Sequence, residues 1–157
     1  MENKVIGITG ARSGVGRDLA QLFLEKGWRV ALLGRRIQPL EETAQGHKNS
    51  IVVKCDVSNY VAVETAFATI ISQWNYIDVL FNNAGLAKPS QTIDELSIDD
   101  WAEVVNINLN GSFFCAKVAF KAMRNQEPQG GRIINNGSVS AYVPRPGSAP
   151  YTSTNTQ

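Results

Sequence analysis

The chain has 157 residues, 43% hydrophobic and 18% charged, with a net charge of +1 at neutral pH. That length suits one domain around one buried core, and its mixed charges leave no basic stripe for nucleic acid and no acidic tail. Its apolar runs are strand-sized, too short to span a membrane.

The first strand is predicted at Val5–Thr9, which leaves no room for a signal peptide after Met1. A turn with Gly10, Gly14 and Gly16 follows, and a helical pattern opens at once over Gly14–Glu25. Strand, glycine turn and helix start together aim free backbone N–H groups and a positive dipole end at a phosphate. Gly10 permits the tight turn, Gly14 leaves room for a pyrophosphate, and Gly16 lets helix and strand approach closely. The spacing is G-x-x-x-G-x-G rather than the commoner G-x-G-x-x-G. A glycine-rich turn with no ligand is the alternative.

A second strand at Arg29–Leu33 leads into Gly34-Arg35-Arg36, with no acidic residue between Leu32 and Pro39. An acidic residue here would hold ribose hydroxyls, whereas arginine accommodates a 2′-phosphate. Arg35 is therefore the candidate phosphate ligand and Arg12 a second cation, which favours NADP over NAD. The competing reading is two arginines ending a strand in water. A helix at Pro39–Gln45 and a strand at Ile51–Lys54 come next, then Cys55-Asp56-Val57-Ser58. Asp56 could accept from an adenine amino group, or Asp56 or Ser58 could cap the helix predicted at Tyr60–Trp74.

The fourth strand, Ile77–Phe81, closes on Asn82-Asn83-Ala84-Gly85. Two amides followed by small residues can lock neighbouring strands while the backbone approaches a sugar; alone, such a tetrapeptide is a turn. A long helix is predicted over Ile98–Arg124, kinked or broken, because Asn106, Asn108 and Asn110 compete for backbone bonds. Asn108 before Gly111 suggests a distortion that holds a water or a carbonyl; solvent exposure of all three is the alternative. Cys115 in this helix lies far from Cys55, with no C-x-x-C, which argues for a reducing compartment and against a metal site. The fifth strand is Arg132–Asn135. Ser140–Pro150, with Pro144, Pro146, Gly147 and Pro150, reads as a loop without helix, on the substrate side of the sheet, with an ordinary surface loop as the alternative. Strands alternating with helices imply right-handed βαβ units, hence a parallel sheet with helices on both faces.

Ser138 follows the fifth strand and Tyr151 lies thirteen residues on. A serine hydroxyl can orient a carbonyl oxygen and a tyrosine phenol can give or take its proton beside a nicotinamide. A free phenol with a pKa near 10 needs a neighbouring cation, which a lysine one helical turn on could supply.

The glycine turn, Asp56-Val57, Asn83-Ala84-Gly85, Asn108 and the Ser138/Tyr151 pair closely resemble, in order and spacing, the short-chain dehydrogenase/reductase family. The resemblance covers the whole chain and implies a Rossmann-type doubly wound sheet in a single NAD(P)-binding domain, residues 1–157. It implies a cofactor turn over residues 9–16, with Gly10, Arg12, Ser13, Gly14, Val15 and Gly16. It further implies adenine contact at Asp56 and Val57, sheet and ribose positions at Asn83, Ala84 and Gly85, and an NADP-selecting base at Arg35. Asn108, Ser138 and Tyr151 fall on three of four catalytic positions. The implied reaction is hydride transfer between NADP(H), or less readily NAD(H), and an alcohol or carbonyl substrate. A small-molecule substrate, a cytoplasmic location, and neither nucleic acid nor membrane as partner are expected.

The family's Tyr-x-x-x-Lys here reads Tyr151-Thr152-Ser153-Thr154-Asn155, and the chain stops two residues later. By the resemblance, the fold is expected to be incomplete, lacking its last helices and strands, and the chain impaired as a catalyst. The elements through which relatives form homo-oligomers are also missing. Relatives often continue Lys-His-Ala-Ile-Thr at this point. One adenine deleted from those codons yields Asn-Thr-Gln and a stop, so a single-base deletion is the expectation for the ending, with a splice variant or arbitrary fragment end as alternatives. A non-catalytic dinucleotide-binding module and a non-functional product are the competing readings.

Overall fold

A computed structural model describes residues 4–155. Its elements are β1 (Val5–Thr9), α1 (Gly14–Glu25), β2 (Arg29–Gly34), α2 (Ile37–Ala44), β3 (Ser50–Lys54), α3 (Tyr60–Trp74) and β4 (Val79–Asn82). These are followed by α4 (Ile98–Val104), a π-helical turn (Val105–Asn110), α5 (Gly111–Asn125), β5 (Arg132–Asn135), a 3₁₀ turn (Val139–Ala141) and α6 (Ala149–Thr154). The sheet order is β3-β2-β1-β4-β5, and every pairing is parallel. The chain order reverses between β1 and β4, and in such sheets ligands bind beyond the carboxyl ends of those strands.

β1 is buried along its whole length, as a central parallel strand must be. Its side chains alternate between two cores. Ile6 and Ile8 pack with Ala20, Leu24 and Leu40 on the α1/α2 side. Val5 joins Leu33, Leu80, Phe67, Ile70 and Met123 on the α3/α5 side. Both cysteines are free, buried and in that second core. Among the described residues no helix is long and apolar enough to cross a membrane, and no cluster of potential metal ligands occurs.

Three departures from the expected elements have physical causes. β4 begins at Val79 rather than Ile77 because the Gln126 amide takes both backbone groups of Ile77, at 2.9 and 3.0 Å. α2 begins at Ile37, ahead of Pro39, which is tolerated in a first turn where its missing N–H is not needed. Pro150 does the same for α6, so the segment read as loop carries a 3₁₀ turn and the start of a helix. The long predicted helix is broken, as expected, at the three asparagines, by a π turn. Thr156 and Gln157, on which the single-base-deletion expectation partly rests, lie outside the described residues.

Candidate functional site

The polar residues that end β1, β4 and β5 bind one another. Thr9 Oγ1 accepts from the backbone N–H of Asn83 and of Ala84, at 2.9 and 3.0 Å. Asn83 Nδ2 donates back to the carbonyls of Thr9 and Gly10, at 3.1 and 3.4 Å. Asn136 Nδ2 donates to Asn83 Oδ1 at 2.9 Å, and Asn82 Nδ2 to Asn135 Oδ1 at 3.0 Å. Three strand ends are thereby fixed where a ligand would sit.

Gly10 has φ 66°, and a Cβ there would lie 3.0 Å from Ala84 Cα. A Cβ on Gly16 would lie 2.5 Å from Asn83 Nδ2 and 2.6 Å from Gly10 O, so glycine is what lets α1 approach β1 and β4. Gly14 has φ 53°, and a Cβ there would meet nothing within 4 Å. The Ser13 side chain makes no capping bond, and the first turn of α1 holds no acidic residue. The N-terminal donors of α1 are left to an external acceptor.

Beside this turn lies a cleft of about 400 Å³ lined by Gly10, Arg12, Arg35, Arg36, Asp56 and Val57, with Ala84 and Gly85 opposite. All three arginines are solvent-exposed. Asp56 Oδ1 accepts from the Ser58 N–H and hydroxyl, at 3.0 and 2.7 Å, which fixes the carboxylate at the rim. Neither Asp56 nor Ser58 caps α3; Asn59 does, accepting from Ala62 N at 3.0 Å. Gly111 packs against the same loop: a Cβ there would lie 2.7 Å from Val57 Cγ2.

A second cleft, of about 160 Å³, shares the Ala84–Gly85 wall and is lined by Asn82, Asn83, Asn108, Tyr151 and Asn155. Asn108 is buried, and its amide is committed to protein: Oδ1 accepts from Leu86 N at 2.8 Å, and Nδ2 donates to Leu86 O and Thr154 Oγ1 at 3.0 and 3.1 Å. Its backbone carbonyl accepts from Ser112 Oγ at 2.7 Å. The side chain therefore holds the loop after β4 and α6 in place, and of the two expected guests, a water or a carbonyl, the carbonyl of Leu86 is seen on it. Asn106 and Asn110 bond to each other on the surface, at 2.9 Å.

Asn155 Nδ2 donates to the Tyr151 carbonyl at 2.7 Å, and among the described residues no charged side chain lines this cleft. Ser138 Oγ accepts from Ser140 N at 3.1 Å; no hydrogen bond joins Ser138 to Tyr151, and Ser138 lines neither cleft. Gly14 and Val15 sit at the head of α1, with Val15 57% exposed.

Asn136 is absent from the expected site, and Thr9 entered it only as the first residue of the cofactor turn, although both tie the site together. A signal for Asn136 was available: Asn135-Asn136-Gly137 after β5 parallels Asn82-Asn83-Ala84-Gly85 after β4. Thr9 offered only its place as a polar residue closing an apolar strand.

A family model described as short chain dehydrogenase matches residues 4–156. The chain is 38% identical to a 3beta-hydroxysteroid dehydrogenase of Mediterraneibacter gnavus over 157 residues, covering 96% of this chain and 55% of the relative. It is 32% identical to an NADP-dependent 3-hydroxy acid dehydrogenase of Shigella flexneri, covering 96% of this chain and 60% of the relative. Among solved structures, a 3-ketoacyl-(acyl-carrier-protein) reductase from Brucella melitensis complexed with NADH superposes with TM-score 0.94 at 28% identity. It covers 99% of this chain and 65% of that one. An actinorhodin polyketide ketoreductase variant with NADPH gives TM-score 0.92 at 29% identity, over 99% of this chain and 62% of that one. The chain thus spans a little over half the length of the curated relatives described here.

Proposed function

The chain belongs to the short-chain dehydrogenase family, and from that premise we propose that it binds a nicotinamide dinucleotide, NADP(H) in preference to NAD(H). In the whole protein that cofactor serves oxidation or reduction of a small alcohol or carbonyl compound, in the cytoplasm.

The observation that carries this is the head of α1. Glycines stand where a Cβ would strike Asn83 or Ala84, Gly14 faces open space, and the first-turn donors have no side-chain cap of their own. These features fit a pyrophosphate. Arg35 and Arg12 would hold a 2′-phosphate, and Asp56 an adenine amino group. When bound, the dinucleotide supplies or accepts the hydride.

The chain's own residues do the rest. Tyr151 carries the proton at its phenolic oxygen, and the Ser138 hydroxyl orients the substrate oxygen. Asn108 is a positioning residue that acts through Leu86 and Thr154. Asn155 is neutral, so nothing at that position favours a phenolate. General acid–base assistance commonly contributes about 10²–10⁴ in rate, and a large part of it is forgone here. Turnover by these 157 residues is therefore near background. The neutral Asn155 also favours a second reading, a module that binds the dinucleotide without turning it over.

Thermal melting of the purified chain tests the binding claim. NADPH at about a hundred times its Kd should raise Tm by about 5–10 °C, with a smaller rise for NADH. No rise with either would reject dinucleotide binding. Hydride transfer at ordinary enzymatic rates would reject the view that Asn155 cripples the site.

A further inference from the structure

We propose that the 157-residue chain forms a two-fold dimer in solution, pairing the outer edge of β5 with that of a second copy. β5 ends the sheet order β3-β2-β1-β4-β5, and its residues stay largely exposed, Ile134 at 40%. Parallel strands in sheets of this kind are ordinarily buried on both faces. An open apolar edge is a template for another strand.

The backbone fixes which groups face outward. Arg132 N donates to Asp78 O and Asn136 N to Asn82 O, both at 2.8 Å. Arg132, Ile134 and Asn136 therefore turn their backbone groups to β4, and alternation turns those of Ile133 and Asn135 the other way. On that side no further strand of the sheet stands. The side chains carry apolar surface to both faces of this edge. Ile133 lines a cleft of about 410 Å³ with Phe120 and Met123 on the α5 side, where Phe120 is 60% exposed. Ile134 lines one of about 990 Å³ with Leu19, Phe23, Val79 and Phe81 on the α1 side.

A second copy is the occupant this edge fits. The 157-residue chain holds only residues 1–3 and 156–157 beyond the described ones, too few to lay a strand along β5 and cover both faces. In an antiparallel pair centred on Ile133, each Ile133 exchanges both backbone bonds with its counterpart, and the α5 sides of the two sheets coincide. Arg132 of each copy then stands opposite Ile134 of the other, so no like charges face each other directly. Asn135 meets Gly131 of the second copy, which extends the ladder at both ends. The contact is self-complementary and closes at two copies, joining two five-stranded sheets into one. So short a seam gives an affinity on the order of micromolar. β4 stands between β5 and the β1 turn, so the pairing does not rest on the dinucleotide reading.

Sedimentation equilibrium of the purified chain from about 1 µM to about 500 µM tests it. The expected result is a monomer–dimer equilibrium with nothing larger. Ile133→Pro removes an N–H that its own sheet does not use, a place where an edge strand tolerates proline. It should raise the dimer Kd about tenfold or more, with urea melting to confirm that the variant folds. Ile98→Lys, at an apolar residue 81% exposed outside the seam, should dimerise as the wild type does. Hydrogen exchange needs no variant: the Ile133 amide should slow as the dimer fraction rises. A monomer throughout the range would overturn the proposal and leave the edge to a strand of another polypeptide. A dimer that survives Ile133→Pro, is lost in Ile98→Lys, or leaves the Ile133 amide exchanging at one rate would overturn it too, as would open-ended growth.

Discussion

Gly16→Ala isolates the contact on which the turn between β1 and α1 rests. The added methyl would lie 2.5 Å from Asn83 Nδ2 and 2.6 Å from the Gly10 carbonyl oxygen. The carbonyl is backbone and cannot swing aside. The amide can, but only by giving up its bonds to Thr9 O and Gly10 O, at 3.1 and 3.4 Å. A forced backbone shift costs about 1–3 kcal/mol, and each lost hydrogen bond about 0.5–1.5 kcal/mol. Alanine's helix preference over glycine returns up to about 1 kcal/mol. With both bonds lost, the balance is a loss of about 1–6 kcal/mol, read as a Tm lowered by at least about 2–4 °C, or as a lower urea midpoint with unchanged slope. Gly137→Ala is the control, because a Cβ there meets nothing within 4 Å and should change stability by less than about 0.5 kcal/mol. A Gly16→Ala chain that melts with the wild type would refute the packing of Asn83 against α1.

Arg35→Ala should raise the NADPH Kd about 10–100-fold, since a charge-assisted bond contributes about 1.5–3 kcal/mol, while NADH affinity stays within about twofold. Fluorescence titration reads both, and an equal loss for the two would reject Arg35 as the 2′-phosphate ligand. Asn108→Ala removes three bonds from a buried amide and should cost about 2–4 kcal/mol in urea melts. Faster proteolysis within residues 144–155 should accompany it; a cost below about 0.5 kcal/mol would show that α6 is held by other contacts. Burial, with the Asp56 charge second, pushes the Cys55 thiol up to about 11, and burial, with Cys55 nearby, pushes Cys115 up as well. A thiol that holds its proton more tightly folded than unfolded contributes stability in full below the ordinary value near 8.5. That stability is lost as pH rises toward 11. Cys55→Ala should flatten the alkaline loss over that window, and a thiol reagent at pH 8 should label neither cysteine without denaturant; rapid labelling would contradict their burial.

Where local pattern and tertiary structure agree, the elements were legible in advance. β1, α1, α3 and β5 run between the predicted residues because strand-length apolar runs, the glycine turn and helical spacing are local signals. The break at the three asparagines was also legible, because a side chain that competes for backbone bonds acts within its own turn. The start of β4 was not, because Ile77 loses both its backbone groups to the Gln126 amide, 49 residues away in sequence. The prolines misled at α6, where the penalty applies in a helix interior and not in its first turn. At the candidate site, the glycines announce themselves through sterics alone. The commitment of Asn108 to Leu86 and Thr154 is a product of folding that no spacing rule encodes.

The π turn at Val105–Asn110 sets a phase relation between α4 and α5. A wide turn inserts one extra residue into the helical count, so the faces presented before and after it are offset by about 100° from a continuous helix. Deleting any one residue in that stretch would restore regular winding only by rotating one half. Either Val104 or Cys115 and Ala119 would then turn away from the cores they now fill, and Asn108 would leave α6. Length, more than side-chain identity, is therefore the quantity this stretch cannot change: substitutions at its outward positions should be absorbed, while a one-residue deletion should unseat the helix that carries Tyr151.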